Sequence, residues 1–333
     1  MSSSKAFTFL PLGAIIQTFT VNGKNIVQGF PTAELYKKYN TPYFGETIGR
    51  VANRISNAKI NDLNGKSYPL AVNNAVNSLH GGINGWGKRE FEGPSTVDRN
   101  GKEATFFHYV SKDGEEGYPG TVELRVWYVQ EKEVVDGAQH EVLYIEYEAE
   151  LIGDEVNETA ISVTNHSYFN LTGGSNIAGT EVTLFTTKYL VADENLIPQG
   201  PIEELPGIKA NTKFTLGEQE PDIDNCFVVD TDAKNVPVDT RSRALQKHAS
   251  FYHPETKIHL EVSSTEPTFQ FYTGKHINVP AVQGIPARGS RSGFCVEPAR
   301  YVNAINVPEW KPQMVLKKGE KYGCKMVYRG WHA

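Results

Sequence analysis

The chain has 333 residues, with 33 Lys+Arg against 39 Asp+Glu, a formal net charge of −6 and 39% hydrophobic residues, which is an ordinary globular composition. A net negative chain without a Lys/Arg run excludes nucleic acid and acidic membranes as expected partners, because neutralising phosphates takes clustered positive charge. Disorder is excluded as well, since 16 Phe, 16 Tyr and 4 Trp supply a strong drive to bury surface.

From the N-terminus, residues 7–16 form an apolar run interrupted by Pro11 and Gly13. We read it as a first β-strand and not a targeting signal, because no small-x-small cleavage site follows. No stretch reaches the ~18 apolar residues of a membrane span. Helix periodicity is confined to two short stretches, 32–39 and 243–248. Elsewhere the pattern has period 2. Val122, Leu124, Val126 and Tyr128 alternate with Glu123, Arg125 and Trp127; Leu143, Ile145, Tyr147, Ala149 and Leu151 alternate with Tyr144, Glu146, Glu148 and Glu150; Ile258, Leu260 and Val262 alternate with Lys257, His259 and Glu261. Turns such as Asp113-Gly114 and Tyr118-Pro119-Gly120 space these strands. No linker, repeat or composition shift divides residues 1–333, which are expected to form one large antiparallel all-β domain of two packed sheets with few short helices. Three cysteines, Cys226, Cys295 and Cys324, show no C-x-x-C spacing, so disulfide and structural-zinc frameworks are not expected, and the compartment is read as cytoplasmic.

Nucleotide-binding and hydrolase motifs are missing, and the glycines of 81–87 fit no phosphate loop. What remains is polar clusters inside strand-like sequence, where desolvation makes unpaired polar groups costly. Asn77-Ser78-Leu79-His80-Gly81-Gly82 places His80 beside paired glycines, and Asn165-His166-Ser167-Tyr168-Phe169-Asn170-Leu171 follows the strand-like residues 160–164. Taken alone, His166 reads as a satisfied structural histidine rather than a catalyst, and His80 as a turn residue. Gln270 lies between Phe269 and Phe271, so it faces away from both aromatics. In Gly293-Phe294-Cys295-Val296-Glu297-Pro298, Glu297 shares a face with Cys295; taken alone it reads as a surface glutamate at a sheet edge, while a partly apolar setting would raise its pKa and suit it as a base.

The order of six motifs is more specific than any one of them. Residues 49–55 (Gly-Arg-Val-Ala-Asn-Arg-Ile), 77–82, 114–120, 165–171, 269–274 and 293–297 together resemble the aldose 1-epimerases, also called galactose mutarotases, over essentially the whole chain. The resemblance implies a galactose mutarotase-like β-supersandwich that binds a free aldose on a concave face without metal or organic cofactor. It implies Glu297 as general base and His166 as general acid of ring opening, and His80, Asn53, Arg54 and Gln270 as sugar contacts. Asp224, in Ile223-Asp224-Asn225-Cys226-Phe227, matches the family's sugar-binding aspartate, with Asp222 as competitor. Oligomeric state, monomer or homodimer, stays open, as does the identity of any sugar-stacking aromatic. Arg288 and Arg291, just before Glu297, are expected to be a solvated loop, with a phosphate clamp as the alternative. A glycoside hydrolase using Asp224 with Glu297, a hexose-6-phosphate mutarotase and a non-catalytic sugar-binding module are the competing readings.

Overall fold

The computed structural model describes residues 5–333. Two antiparallel sheets dominate it. The larger has nine strands in the order Lys213–Thr215, Glu181–Leu184, Gln246–His253, Ile258–Ser264, Lys321–His332, Ala138–Leu151, Val122–Val135, Lys102–Ser111 and Glu92–Arg99. The smaller has six, in the order Tyr168–Phe169, Phe294–Ala299, Thr268–Tyr272, Asp224–Val228, Lys188–Ala192 and Pro198–Glu204.

Period-2 alternation puts the apolar set of each strand on one face, and the two apolar faces meet. Leu124, Val126, Ile145, Tyr147, Leu260 and Val262 of the larger sheet share a buried cluster with Phe227, Phe269, Phe271, Phe294 and Val296 of the smaller. Aromatic rings join the layers: Phe251 stacks on Phe294 at 4.2 Å, and Phe169 meets Tyr328 edge-on at 5.2 Å. Each such side chain contributes about 1.5–3 kcal/mol of burial, so a one-residue register slip, which would turn the set to solvent, is strongly disfavoured.

The expected class, an antiparallel β-sandwich with few helices, is what the chain adopts: among the described residues, Ala33–Tyr39 is the one α-helix, capped by Thr32. Two local expectations are corrected. Residues 7–16 are not one strand but a hairpin, Phe7–Leu10 and Ile15–Val21, turning where Pro11 and Gly13 interrupt the run. Residues 243–248 are not a helix; they turn and enter the Gln246–His253 strand, because continuing alternation buries Ala249 and Phe251 against the core. The acidic outer face of Ala138–Leu151 is covered: Arg99 pairs with Glu146, Arg125 with Glu148 and Glu150, and Lys321 with Glu148. All three cysteines are buried and free.

Candidate active site

Because Phe269, Phe271, Phe294 and Val296 point into the sandwich, their neighbours must point out. Gln270, Tyr272, Cys295, Glu297 and Asp224 therefore share the opposite face of the six-stranded sheet. Register brings them side by side: Gln270 is opposite Glu297, and Tyr272 is opposite both Cys295 and Asp224. This face is the floor of a cleft of about 530 Å³, a volume typical of small-molecule sites.

Two loops wall the cleft. Asn53 (φ 60°) precedes Arg54, and the Asn53 amide bridges them: its Nδ2 donates to Gln270 Oε1 at 3.1 Å, while its Oδ1 accepts from the Arg54 backbone N–H at 2.9 Å. Gln270 Nε2 then donates to Asp224 Oδ1 at 2.6 Å. Arg54 Nε donates to Asn74 Oδ1 at 3.0 Å, which aims the guanidinium across the cleft. The strand Arg54–Ile55 pairs with Ser78–Leu79, which delivers His80 next to it. The glycine after His80 is required: Gly81 has φ +80°, and a Cβ there would stand 1.9 Å from the Gly49 carbonyl oxygen. His80 Nδ1 accepts the Asn53 backbone N–H at 3.2 Å, so the neutral ring carries its proton on Nε2.

His166 is held by its own backbone. Its N–H donates to Glu46 O at 2.9 Å and its carbonyl accepts from Gly45 N–H at 3.0 Å. Asn165 and Ser167 turn to structural bonds with Gly45 and with each other, leaving the imidazole to the cleft. His166 Nε2 lies 3.4 Å from Glu297 Oε2, and both side chains are buried. The other carboxyl oxygen, Oε1, accepts from the Cys295 thiol at 3.2 Å.

Burial governs the charges here. It pushes Glu297 up to about 8, an effect that Asp224 reinforces and that the Cys295 thiol and Arg54 oppose. It also pulls His166 down to about 3, with the Lys88 charge acting the same way. His80 is held well below the usual histidine range by burial and by neighbouring positive charge, and burial raises Asp224. Near neutral pH the His166–Glu297 pair thus holds a single proton, resting on the carboxyl, and one short transfer converts it to carboxylate and imidazolium.

Every matched position, Glu297, His166, His80, Arg54, Asn53, Asp224 and Gln270, lines this one cleft. Asp222 does not; it pairs with Lys275 at 2.5 Å. Arg288 and Arg291 correct both readings given to them, for they are buried and tied to backbone. Arg288 Nη1 donates to Gly29 O at 2.5 Å with its guanidinium over Phe30, and Arg291 donates to Pro221 O and Gly217 O. Arg50, from the same motif as Arg54, is likewise a buried staple onto Pro119 O and Gly120 O. Missed by sequence reasoning are the aromatic walls Tyr43, Tyr168 and Tyr272, and His276. Tyr168 lay inside a motif already singled out; nothing local marked Tyr43.

His80, His166 and Glu297 each offer a possible metal-ligand atom, all within 4.8 Å of one another, the one such group among the described residues. The fit is poor, since ligation through His80 Nε2 would require the tautomer that gives up the Asn53 N–H bond.

A family model described as Aldose 1-epimerase matches residues 3–329. Galactose mutarotase of Sus scrofa is 38% identical over 304 residues, 90% of this chain and 81% of that protein. The bifunctional protein gal10 of Schizosaccharomyces pombe is 38% identical over 320 residues, 95% of this chain but 42% of that protein. The chain spans less than half the length of the first curated relatives it matches. The solved structure of a GalM/aldose epimerase homologue from C. elegans superposes with a TM-score of 0.80 at 25% identity, covering 98% of this chain and 95% of that one.

Proposed function

The chain belongs to the aldose 1-epimerase family, and from that premise and the cleft geometry we propose that it interconverts the α and β anomers of a free hexose such as galactose or glucose. The observation that carries the proposal is the buried His166–Glu297 pair, 3.4 Å apart, on the floor of a polar cleft. Mutarotation needs one proton removed from the anomeric hydroxyl and one delivered to the ring oxygen of the same sugar. In this reading the Glu297 carboxylate takes the first and His166 imidazolium gives the second. The bond between C1 and the ring oxygen breaks, leaving an open-chain aldehyde. Rotation about the C1–C2 bond and attack of the same hydroxyl on the other face of C1 returns both protons and yields the opposite anomer. No co-reactant is consumed.

His80, with its proton on Nε2, and Arg54 offer donors toward charge developing on sugar oxygens. The Asn53–Gln270–Asp224 strap fixes a row of acceptors and donors across the floor, which supports their assignment to sugar orientation. Residues 1–333 are taken as one working unit, because a single buried cluster runs from Phe7 to Tyr328. Polarimetry on freshly dissolved α-glucose and α-galactose tests the proposal. Acceleration of the approach to anomeric equilibrium, lost in Glu297→Gln, is expected; a rate equal to the buffer rate refutes it.

A further inference from the structure

One motif remains without a role in this reading: the glycine-rich turn after His80 runs on into Trp86-Gly87-Lys88. Lys88 Nζ donates to Glu46 Oε1 at 2.5 Å and to Asn40 O at 2.8 Å. Glu46 is buried, only 1% exposed, and also accepts from Asn40 Nδ2 at 2.7 Å. A buried carboxylate is costly unless paired, and this pair stands directly behind the cleft. Three residues before Glu46, Tyr43 has φ 68°, a conformation that a bulky side chain rarely adopts and that needs support from its surroundings. That support is visible. The Lys88 ammonium stands 4.7 Å from the Tyr43 ring centroid, and the same ring lies 4.9 Å from His80 and 5.6 Å from His166. The backbone carbonyl of Glu46 also accepts the His166 N–H.

We propose that Lys88 and Glu46 form a positioning clamp behind the cleft, which presses the Tyr43 ring against both histidines as the wall that the sugar packs on. This rests on the mutarotase reading for its kinetic consequence, but the clamp itself can be tested without it. Lys88 does not itself line the cleft, so it acts through Tyr43 and His166 and is a positioning residue. Its charge is the second part of the device. The groups facing His166 are Glu297, His80, Tyr43 and Tyr168; Lys88 is the positive charge behind them and opposes protonation of both imidazoles, with Arg54 acting the same way on His80. A histidine so placed gives up its proton readily once the sugar oxygen is in reach.

The experiment compares Lys88→Met, Lys88→Arg, Tyr43→Leu and the double variant Glu46→Gln/Lys88→Met, in which a neutral pair replaces the ion pair if Lys88→Met alone folds poorly. Two readouts are taken: the imidazole C–H resonances of the empty protein, which sense the ring current of Tyr43, and kcat and KM for freshly dissolved α-glucose by polarimetry. Lys88→Met or the double variant is expected to move the His80 and His166 resonances as Tyr43→Leu does and to raise KM at least threefold. The acid limb of the pH–kcat profile should move up by about 0.5–1 unit as the positive charge is lost. Lys88→Arg should restore resonances, KM and limb. Wild-type resonances in both charge-removed variants overturn the clamp, and so do shifted resonances with kcat/KM within twofold of wild type. A wild type with no mutarotation at all overturns the function instead, and the resonances alone then decide the clamp.

Discussion

Replacing Glu297 by Gln should destroy activity and stabilise the protein, and the two effects come from the same burial. In the folded chain the Glu297 carboxyl is pushed from 4.5 up to about 8, first by desolvation. A group whose folded pKa is raised adds stability below its unfolded value and loses it as pH rises toward the folded one. At pH 7 the unfolded carboxyl gains about 2.5 pH units of ionisation that the folded one forgoes, roughly 3 kcal/mol at 1.36 kcal/mol per unit. Glu297→Gln removes that cost. With unfolding entropy near 2.1 cal/mol/K per residue, 2–3 kcal/mol corresponds to a Tm about 3–4 °C higher at pH 7. The gain should vanish below about pH 3.5, where the carboxyl is protonated in both states. His166→Gln is the mirror case. Its folded pKa is pulled from 6.5 down to about 3 by burial, so its stability is lost as pH falls below 6.5, and this variant should gain about 2 kcal/mol at pH 5 and nothing at pH 8. Both should lose at least ~100-fold in kcat by polarimetry, as expected for one general acid or base. Equal stability at all pH values in Glu297→Gln, or more than a tenth of wild-type rate in either variant, would refute the reasoning.

The wild-type kcat/KM profile should be flat from pH 5 to 7 and fall above about 8, since only the one-proton state of the pair contains both a base and an acid; Cys295→Ala should move that upper limb higher, because the lost thiol bond was holding Glu297 down, and Cys295→Ser should restore it. Arg54→Ala, Gln270→Ala and Asp224→Ala should raise KM or lower kcat/KM less, and unevenly across sugars, because they orient the ring; unchanged kcat/KM on a sugar panel for Asp224→Ala would remove it from the site. Activity should survive exhaustive EDTA, and restoration of a lost rate by one added metal would instead assign His80, His166 and Glu297 as ligands. Glucose should be a far better substrate than glucose 6-phosphate, because Arg54 is the one arginine in the cleft and Arg288 and Arg291 are committed to backbone carbonyls; a higher kcat/KM for the phosphate ester would refute this.

Strand periodicity was legible because each inner face repeats every second residue, and the Gln270 and Glu297 orientations followed from the aromatics beside them. What was not legible depends on contacts distant in sequence. Arg288 looked solvated because nothing in 286–291 records that Gly29 and Phe30 stand against it. Tyr43 looked like any turn aromatic, since its role depends on Lys88, 45 positions on, and on a positive φ. The stretch 243–248 misled because a strand whose register starts within it outweighs a short helical period.

Six of the seven matched cleft residues lie in the six motifs and Asp224 in the 223–227 stretch, yet the same motifs carry polar side chains that never reach the cleft. Asn165, Ser167 and Arg50 are spent on carbonyls and neighbouring side chains of the loops that hold the cleft open. The loops that wall this outer face rest on small apolar clusters, Ile48 and Ala52 with Ala299 and Phe44 with Tyr168, and polar residues complete by hydrogen bonding what that packing leaves unfixed. His166 shows the consequence most directly. Its ring can be held within reach of Glu297, in a setting that disfavours its charge, only because its backbone is bonded on both sides to 45–46. Loosening that segment should therefore harm catalysis before it harms the fold.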